Sequence, residues 1–308
     1  MQQPPSIYTK TPMAILMIEP VSFGFNKETA ANNFFQRDQT IASPQEKALE
    51  EFTAFVRLLR AHDIEIHTVQ DTPYPPTPDA IFPNNWISFH KGGKIVLYPM
   101  YAKNRRAERK HSVLKAVDKF IEVQEQIDLT HFEDAGKYLE GTGSMVLDRE
   151  NKVAYACLSE RTDPDVMETF CLKMGYSPVL FDAADRQGNN IYHTNVMMCM
   201  ADQYVVICMD AVQDAASKKQ LLALFEEQGK KVFTISFEQM EHFCGNLLQV
   251  TNIHGKQFLV MSDQAYDHLG TALVQELSRY NPILHSNLQT VETLGGGSAR
   301  CMMAEIYF

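Results

Sequence analysis

The 308-residue sequence predicts an α/β fold, a five-bladed β/α propeller of pseudo-fivefold strand-strand-helix-strand units, read as one catalytic domain over residues 1–308. Three observations predict it. A hairpin followed by a helix and a further strand recurs about every 50 to 60 residues. The two ends of the chain carry the pieces of one more unit. Polar or reactive residues return at one fixed phase of the repeat.

In chain order, residues 14–19 read as an apolar strand. Ser43, Pro44 and Glu46 form a capping-box start for a helix running to about residue 61. Residues 64–67 follow as a strand. The first full unit is the hairpin 86–90 and 95–98 about the polar turn 91–94, then a helical pattern at 107–120 and a strand at 127–129. The second pairs 144–147 with 153–157, then helix 164–174 and strand 178–181. The third pairs 196–200 with 204–208, then helix 215–228 and strand 231–235. The fourth pairs 247–250 with 257–261, then helix 265–279 and strand 283–285. Residues 302–307 supply the strand that the N-terminal unit lacks. Joining both chain ends in one unit is how a circular array closes. A doubly wound sheet needs a helix after every strand, and the tight hairpins argue against it.

A net charge of -10 without any Lys/Arg-rich run makes nucleic acid and anionic membrane poor partners. With 45% hydrophobic residues the chain has apolar surface for a sizeable core. Residues 1–10 show no basic region ahead of an apolar stretch, so no signal peptide is read, and no window reaches 18 apolar residues. Cys157, Cys171, Cys199, Cys208, Cys244 and Cys301 are even in number. A large chain with its own core nevertheless favours reduced thiols in a cytoplasm over disulfides. No Cys-x-x-Cys or His-x-x-x-His pair offers metal-ligand spacing, so neither metal nor cofactor is expected. A homo-oligomer stays open. Residues 23–38, with aromatics and an Asn pair, read equally as a lid or as a surface loop.

The repeat locates the candidate site. The residues just before each hairpin's first strand are Asn85, Glu140, His193, Asn246 and Cys301, spaced by 55, 53, 53 and 55 residues. In a circular array, equivalent positions converge on the axis. A Cys, a His and a carboxylate facing one pocket are the ingredients of nucleophilic catalysis. Each is unremarkable alone: Cys301 as a small buried hydrophobe, His193 as a core histidine, Glu140 as a turn carboxylate. The run Gly295-Gly-Gly-Ser-Ala-Arg before Cys301 lets backbone approach a ligand and offers N–H groups to an anion.

These residues also carry a resemblance, over roughly residues 79–301, to the guanidino-group-modifying superfamily of pentein fold. Its members include arginine deiminase, dimethylarginine dimethylaminohydrolase and amidinotransferases. The Gly-Gly-Gly-Ser-Ala-Arg-Cys run resembles the nucleophile loop, and Glu140-Gly141 the catalytic glutamate and its glycine. His193 fits the general acid/base. Leu158 to Thr162 looks like the segment whose arginine, here Arg161, holds the substrate carboxylate. Asn104 to Glu108 is similar to a second such stretch and points to Arg105. Pro78 to Asn85 matches the segment that grips the guanidinium, with Asp79 retained. The resemblance implies a small amino-acid substrate.

Three departures matter. Arginine-handling relatives carry acidic residues where this chain has Asn85, Asn195 and Gly143. A guanidinium is a permanent cation that favours carboxylates in bidentate geometry. A ureido group is neutral, and its carbonyl accepts from an amide N–H. The expectation is a cysteine-nucleophile hydrolase acting on the ureido group of citrulline, giving ornithine, carbon dioxide and ammonia, with Asn246 beside Asn85 and Asn195 at the substrate. The alternatives are an arginine or dimethylarginine hydrolase, an amidinotransferase, or a non-catalytic pentein binding protein. The plainer reading of Asn85 and Asn195 is that they only shape turns.

Overall fold

Five three-stranded sheets carry the structure, a computed structural model that describes residues 13–307. Residues 1–10, read above for a targeting signal, lie outside the described residues. The sheets share one pattern: an antiparallel hairpin whose second strand pairs in parallel with a third. They comprise Ile87–His90 with Lys94–Leu97 and Glu125–Asp128; Val146–Asp148 with Val153–Cys157 and Ser177–Phe181; Met198–Met200 with Tyr204–Ile207 and Lys231–Thr234; and Leu248–Thr251 with Gln257–Ser262 and Ile283–Ser286. The fifth sheet joins the ends as expected. Met13–Glu19 runs antiparallel to Ala304–Tyr307, in the register Ala14 to Ile306, and parallel to Glu65–Gln70. The fold is the pentein α/β propeller.

Between the second and third strands of each sheet runs the helical connection that parallel pairing requires. Pro164–Met174 shows why these residues turn. The Asp163 carboxylate accepts from the Asp165 and Val166 N–H groups, Pro164 presets the first turn, and Gly175 ends it at φ 69°. Its buried face, Val166, Met167 and Phe170, packs beside Tyr98, Ala154 and Ala156. Truncating Phe170 to Ala should cost about 3–5 kcal/mol.

Several local expectations are corrected. Ser43 makes no side-chain cap for Pro44–Arg60, because its own backbone is left-handed at φ 50°. The nearby order comes from Gln45, whose side chain accepts from the Phe23 N–H and donates to the Pro20 carbonyl. The helix expected at 107–120 is only His111–Val117; Asn104–Glu108 forms a separate 3-10 turn that turns Arg105 and Glu108 inward. The helix expected at 265–279 is two helices, Asp263–Leu269 and Thr271–Ser278, broken at Gly270 with φ 77°. The hairpin strands also begin one or two residues late, because short turns precede them at Pro83–Asn85, Gly141–Ser144, Thr194–Val196 and Ala299–Met302. Those turns carry the candidate residues to the axis. No helix among the described residues is long and apolar enough to cross a membrane.

Candidate active site

The structure brings Glu140, His193 and Cys301 together, all at most 3% exposed. Glu140 is fixed at both oxygens. Oε1 accepts from the Tyr101 N–H at 2.9 Å. Oε2 receives His193 Nε2 at 2.8 Å and Arg161 Nη1 at 3.4 Å. Burial alone pushes the Glu140 carboxyl up, but Arg161, His193 and Arg105 together hold it well below the usual carboxylate range. Burial pushes His193 down, with Glu140 opposing and Arg161 and Arg105 adding to the depression, so the imidazole is neutral at neutral pH. Glu140 holds Nε2, which leaves Nδ1 facing Gly143. A Cβ at 143 would lie 2.8 Å from Nδ1 and 2.4 Å from Asn85 Nδ2. The missing side chain at 143 therefore leaves no hole, because the Asn85 amide and the His193 ring occupy that space.

Around Cys301 the partners are amides. Asn246 Oδ1 accepts from the Arg300 N–H at 3.0 Å, which orients its Nδ2 toward Cys301 Sγ at 3.3 Å and the Asn195 carbonyl at 3.0 Å. Asn195 Nδ2 reaches the same sulfur at 3.5 Å, and its Oδ1 is buried without a hydrogen-bond partner. The expected backbone donors beside the sulfur are taken: the Arg300 N–H by Asn246, the Cys301 N–H by the Ser298 carbonyl. Only the side-chain amides remain as oxyanion donors among these groups.

Asp79 is buried, with Oδ2 accepting from Asn26 Nδ2 at 2.7 Å and Thr29 Oγ1 at 3.2 Å, and with Oδ1 unpartnered. Burial raises its carboxyl, against Arg105 and Asn26. Arg105 is heavily engaged. Its guanidinium is held bidentately by Glu108 at 2.7 and 3.0 Å and donates to Asn85 Oδ1 at 2.8 Å, so it braces Asn85. Arg161 lies over the Tyr192 ring at 4.9 Å, with Nε on Asn32 Oδ1 at 3.0 Å and Nη2 on Asn32 Oδ1 and the Thr29 carbonyl.

Asn26, Thr29, Asn32 and Asn33 belong to the 23–38 segment, which lies across the site. Asn33 donates to the Gly295 and Gly296 carbonyls. A Cβ at Gly296, itself at φ 63°, would lie 2.5 Å from Asn33 Nδ2, so glycine permits this contact. These four residues were missed in the sequence because they carry no repeat phase; the Asn pair at 32–33 was the only signal. Tyr192, whose Oη donates to the Gly296 carbonyl at 2.8 Å, was signalled only by its place before His193. The space left at the centre is about 10 Å³, lined by Asp79, Asn85, Arg161, His193 and Cys301 among others.

The family description "N,N dimethylarginine dimethylhydrolase, eukaryotic" matches residues 19–308. The chain belongs to that family. This places it among hydrolases of carbon–nitrogen bonds other than peptide bonds, in arginine chemistry. No curated protein matches it by sequence. Solved structures share its fold. Apo ArgZ, an arginine dihydrolase from the ornithine-ammonia cycle in cyanobacteria, is 18% identical with TM-score 0.76 over 96% of this chain and 40% of its own. This chain thus spans well under half the length of ArgZ. The N-terminal domain of ArgZ bound to substrate, as a Cys-to-Ser mutant, gives 18% and 0.76, covering 96% of this chain and 98% of its own. A dimethylaminohydrolase (DDAH) from Pseudomonas aeruginosa, complexed with citrulline, gives 15% and 0.68, covering 96% and 100%.

Proposed function

We propose that this family member hydrolyses the ureido group of citrulline, with Cys301 as nucleophile, His193 as general acid/base and Glu140 as the group that orients both substrate and histidine. The observation that carries the reading is the pair of amide donors, Asn195 Nδ2 and Asn246 Nδ2, aimed at the Cys301 sulfur. Attack on a ureido carbon develops an oxyanion, which amide N–H groups stabilise and carboxylates repel.

The substrate α-carboxylate takes the Arg161 fork in place of Asn32. Its ureido N–H groups face Asp79 Oδ1 and Glu140, with Asn85 completing the wall. The Cys301 thiol proton passes to His193 Nδ1, and Glu140 stabilises the resulting imidazolium through Nε2. The thiolate attacks the ureido carbon, and His193 returns the proton to the departing δ-nitrogen. Ornithine leaves, and an S-carbamoyl cysteine remains. Water, deprotonated by His193, displaces the sulfur and releases carbamate, which decomposes to carbon dioxide and ammonia.

A second reading rests on Asp79 and Glu140, two buried carboxylates able to hold a guanidinium. In that case the chain takes arginine on to ornithine, the activity class for which ArgZ is named. Separate incubations with citrulline, arginine and dimethylarginine, with product analysis, decide. Ornithine from citrulline alone supports the first reading, and ornithine from arginine supports the second. Citrulline accumulating from arginine or dimethylarginine, with citrulline itself untouched, defeats the ureido argument.

A further inference from the structure

The two ends of the propeller axis differ in chemistry. Asn85, Glu140, His193, Asn246 and Cys301 stand where the first hairpin strands begin. The hairpin turns lie at the other end of those strands, and there a second cavity of about 520 Å³ opens. All five sheets or their hairpin turns line it, through Lys91, Arg149, Met200, Leu248 and Tyr307.

Its charge runs against that of the whole chain. Six cations, Lys91, Lys94, Arg149, Lys152, Lys173 and Lys230, face four carboxylates in a protein of net charge -10. Two of the carboxylates are already neutralised. Lys230 Nζ sits 3.1 Å from Asp148, and Arg300 Nη2 sits 3.0 Å from Glu305. Lys94 pairs outward with Glu125 at 2.6 Å. Among the described residues, Lys91, Lys152 and Lys173 have no ion pair. Arg149 approaches Glu305 at 3.7 Å, lies over the Tyr307 ring at 4.1 Å, and directs Nη1 at the Phe89 carbonyl and His90 Nδ1. Lys152 Nζ stands 4.6 Å over the Tyr176 ring. Burial lowers Lys152, and Arg149 and Lys91 lower it further. Burial, then Arg149 and Lys152, also hold the neighbouring His90 well below its ordinary value. These cations repel one another across a shared space.

We propose that this cavity is a binding site for a phosphorylated small organic molecule. The unpaired ammonium groups of Lys91, Lys152 and Lys173, with the Arg149 charge beside them, match a tetrahedral phosphate dianion, and binding it removes the repulsion between Arg149, Lys152 and Lys91. Leu147, Met200, Leu248 and the Tyr307 ring offer apolar surface to the organic body. The volume lies within the range of small-molecule sites, about 300–1,000 Å³. The site stands independently of the substrate assigned to Cys301.

Calorimetric titration of the full chain with AMP, inorganic phosphate and adenosine at low salt tests it. AMP is expected to bind, phosphate to bind at least about tenfold more weakly, and adenosine to give no heat. The double variant Lys91→Gln, Lys152→Gln should weaken AMP at least about tenfold while leaving citrulline turnover unchanged and the melting temperature no lower. Lys152→Arg should retain AMP, and Cys301→Ala should leave its affinity untouched. Absent AMP binding, equal affinity for phosphate and AMP, full affinity in the double variant, or loss in Cys301→Ala would each overturn the proposal.

Discussion

On one wall of the candidate site, Glu140 gathers His193 and Arg161 around a single oxygen, and Asp79 keeps one oxygen bare. On the wall around the sulfur, Asn195 and Asn246 direct amide N–H groups at Cys301 Sγ, and among the described residues the hydrogen-bond partners of that sulfur are both amides. The first wall holds N–H groups and protons; the second suits the oxygen that becomes negative when the carbon is attacked. A guanidine places nitrogen on both sides of the reacting carbon, whereas a ureido group places nitrogen on one and oxygen on the other. The asymmetry of the walls matches the asymmetry of the ureido group.

The largest effect should come from the sulfur between the walls. With Cys301 as the proposed nucleophile, Cys301→Ala should reduce kcat on citrulline by at least about 10⁴-fold, measured as ornithine release. Substantial turnover in this variant would remove both walls from the reaction together.

Converting an amide to a carboxylate tests the difference between the walls directly. Asn195→Asp keeps the shape and replaces an N–H donor with a charge that opposes the oxyanion. The kcat on citrulline should fall about 10²–10³-fold, the scale of losing one oxyanion donor. Unchanged turnover would show that the amides are packing groups only. Citrulline turnover lost with arginine turnover gained would sharpen the comparison, since an acidic second wall suits a cation.

How far these walls were legible in the sequence follows from what each part depends on. The five phase-locked positions were legible because backbone periodicity fixes them, and the hairpins and the closing sheet followed from strand pattern alone. Turn geometry was less so: Ser43 has the composition of a cap and the wrong φ, and Asn104–Glu108 leaves the helical pattern because the Arg105–Glu108 pair is drawn inward. Gly270 splits a periodic stretch that reads as continuous. Asn26, Thr29 and Asn32 were invisible in role, because a segment that crosses the site by tertiary contact has no period to reveal it.

The stretch leading to Cys301 carries one carboxylate, Glu292, in the turn Val291–Gly295. Glu292 is buried, accepts from Ser298 Oγ at 2.6 Å and Gln264 Nε2 at 2.9 Å, and burial pushes its carboxyl up to about 7. Below its ordinary value of 4.5, folded and unfolded chains both hold the proton. Between 4.5 and about 7 the folded chain keeps a proton that the unfolded chain releases, so stability falls as pH rises. The full loss is about 3 kcal/mol. Glu292→Gln cannot ionise. Its melting temperature relative to the native chain should therefore climb by several degrees from pH 5 to pH 8, read by differential scanning fluorimetry. A gap constant across that range would show that Glu292 does not ionise there.

The smallest effect concerns access to the carboxylate wall. Asn32 Oδ1 accepts from both Arg161 Nε and Nη2, the fork that a substrate carboxylate requires. On the proposed function, the citrulline carboxylate displaces that carboxamide, which makes Asn32 a competitor of substrate for Arg161 with no part in the chemistry. Asn32→Ala should lower KM for citrulline about fivefold, worth about 1 kcal/mol, and leave kcat within twofold. Steady-state kinetics separate the two constants. A raised KM would mean that Asn32 grips the bound substrate, and a fall in kcat with KM unchanged would mean that it helps align Arg161 with Glu140. Either result would extend the first wall to include the 23–38 segment, which on the present geometry only covers it.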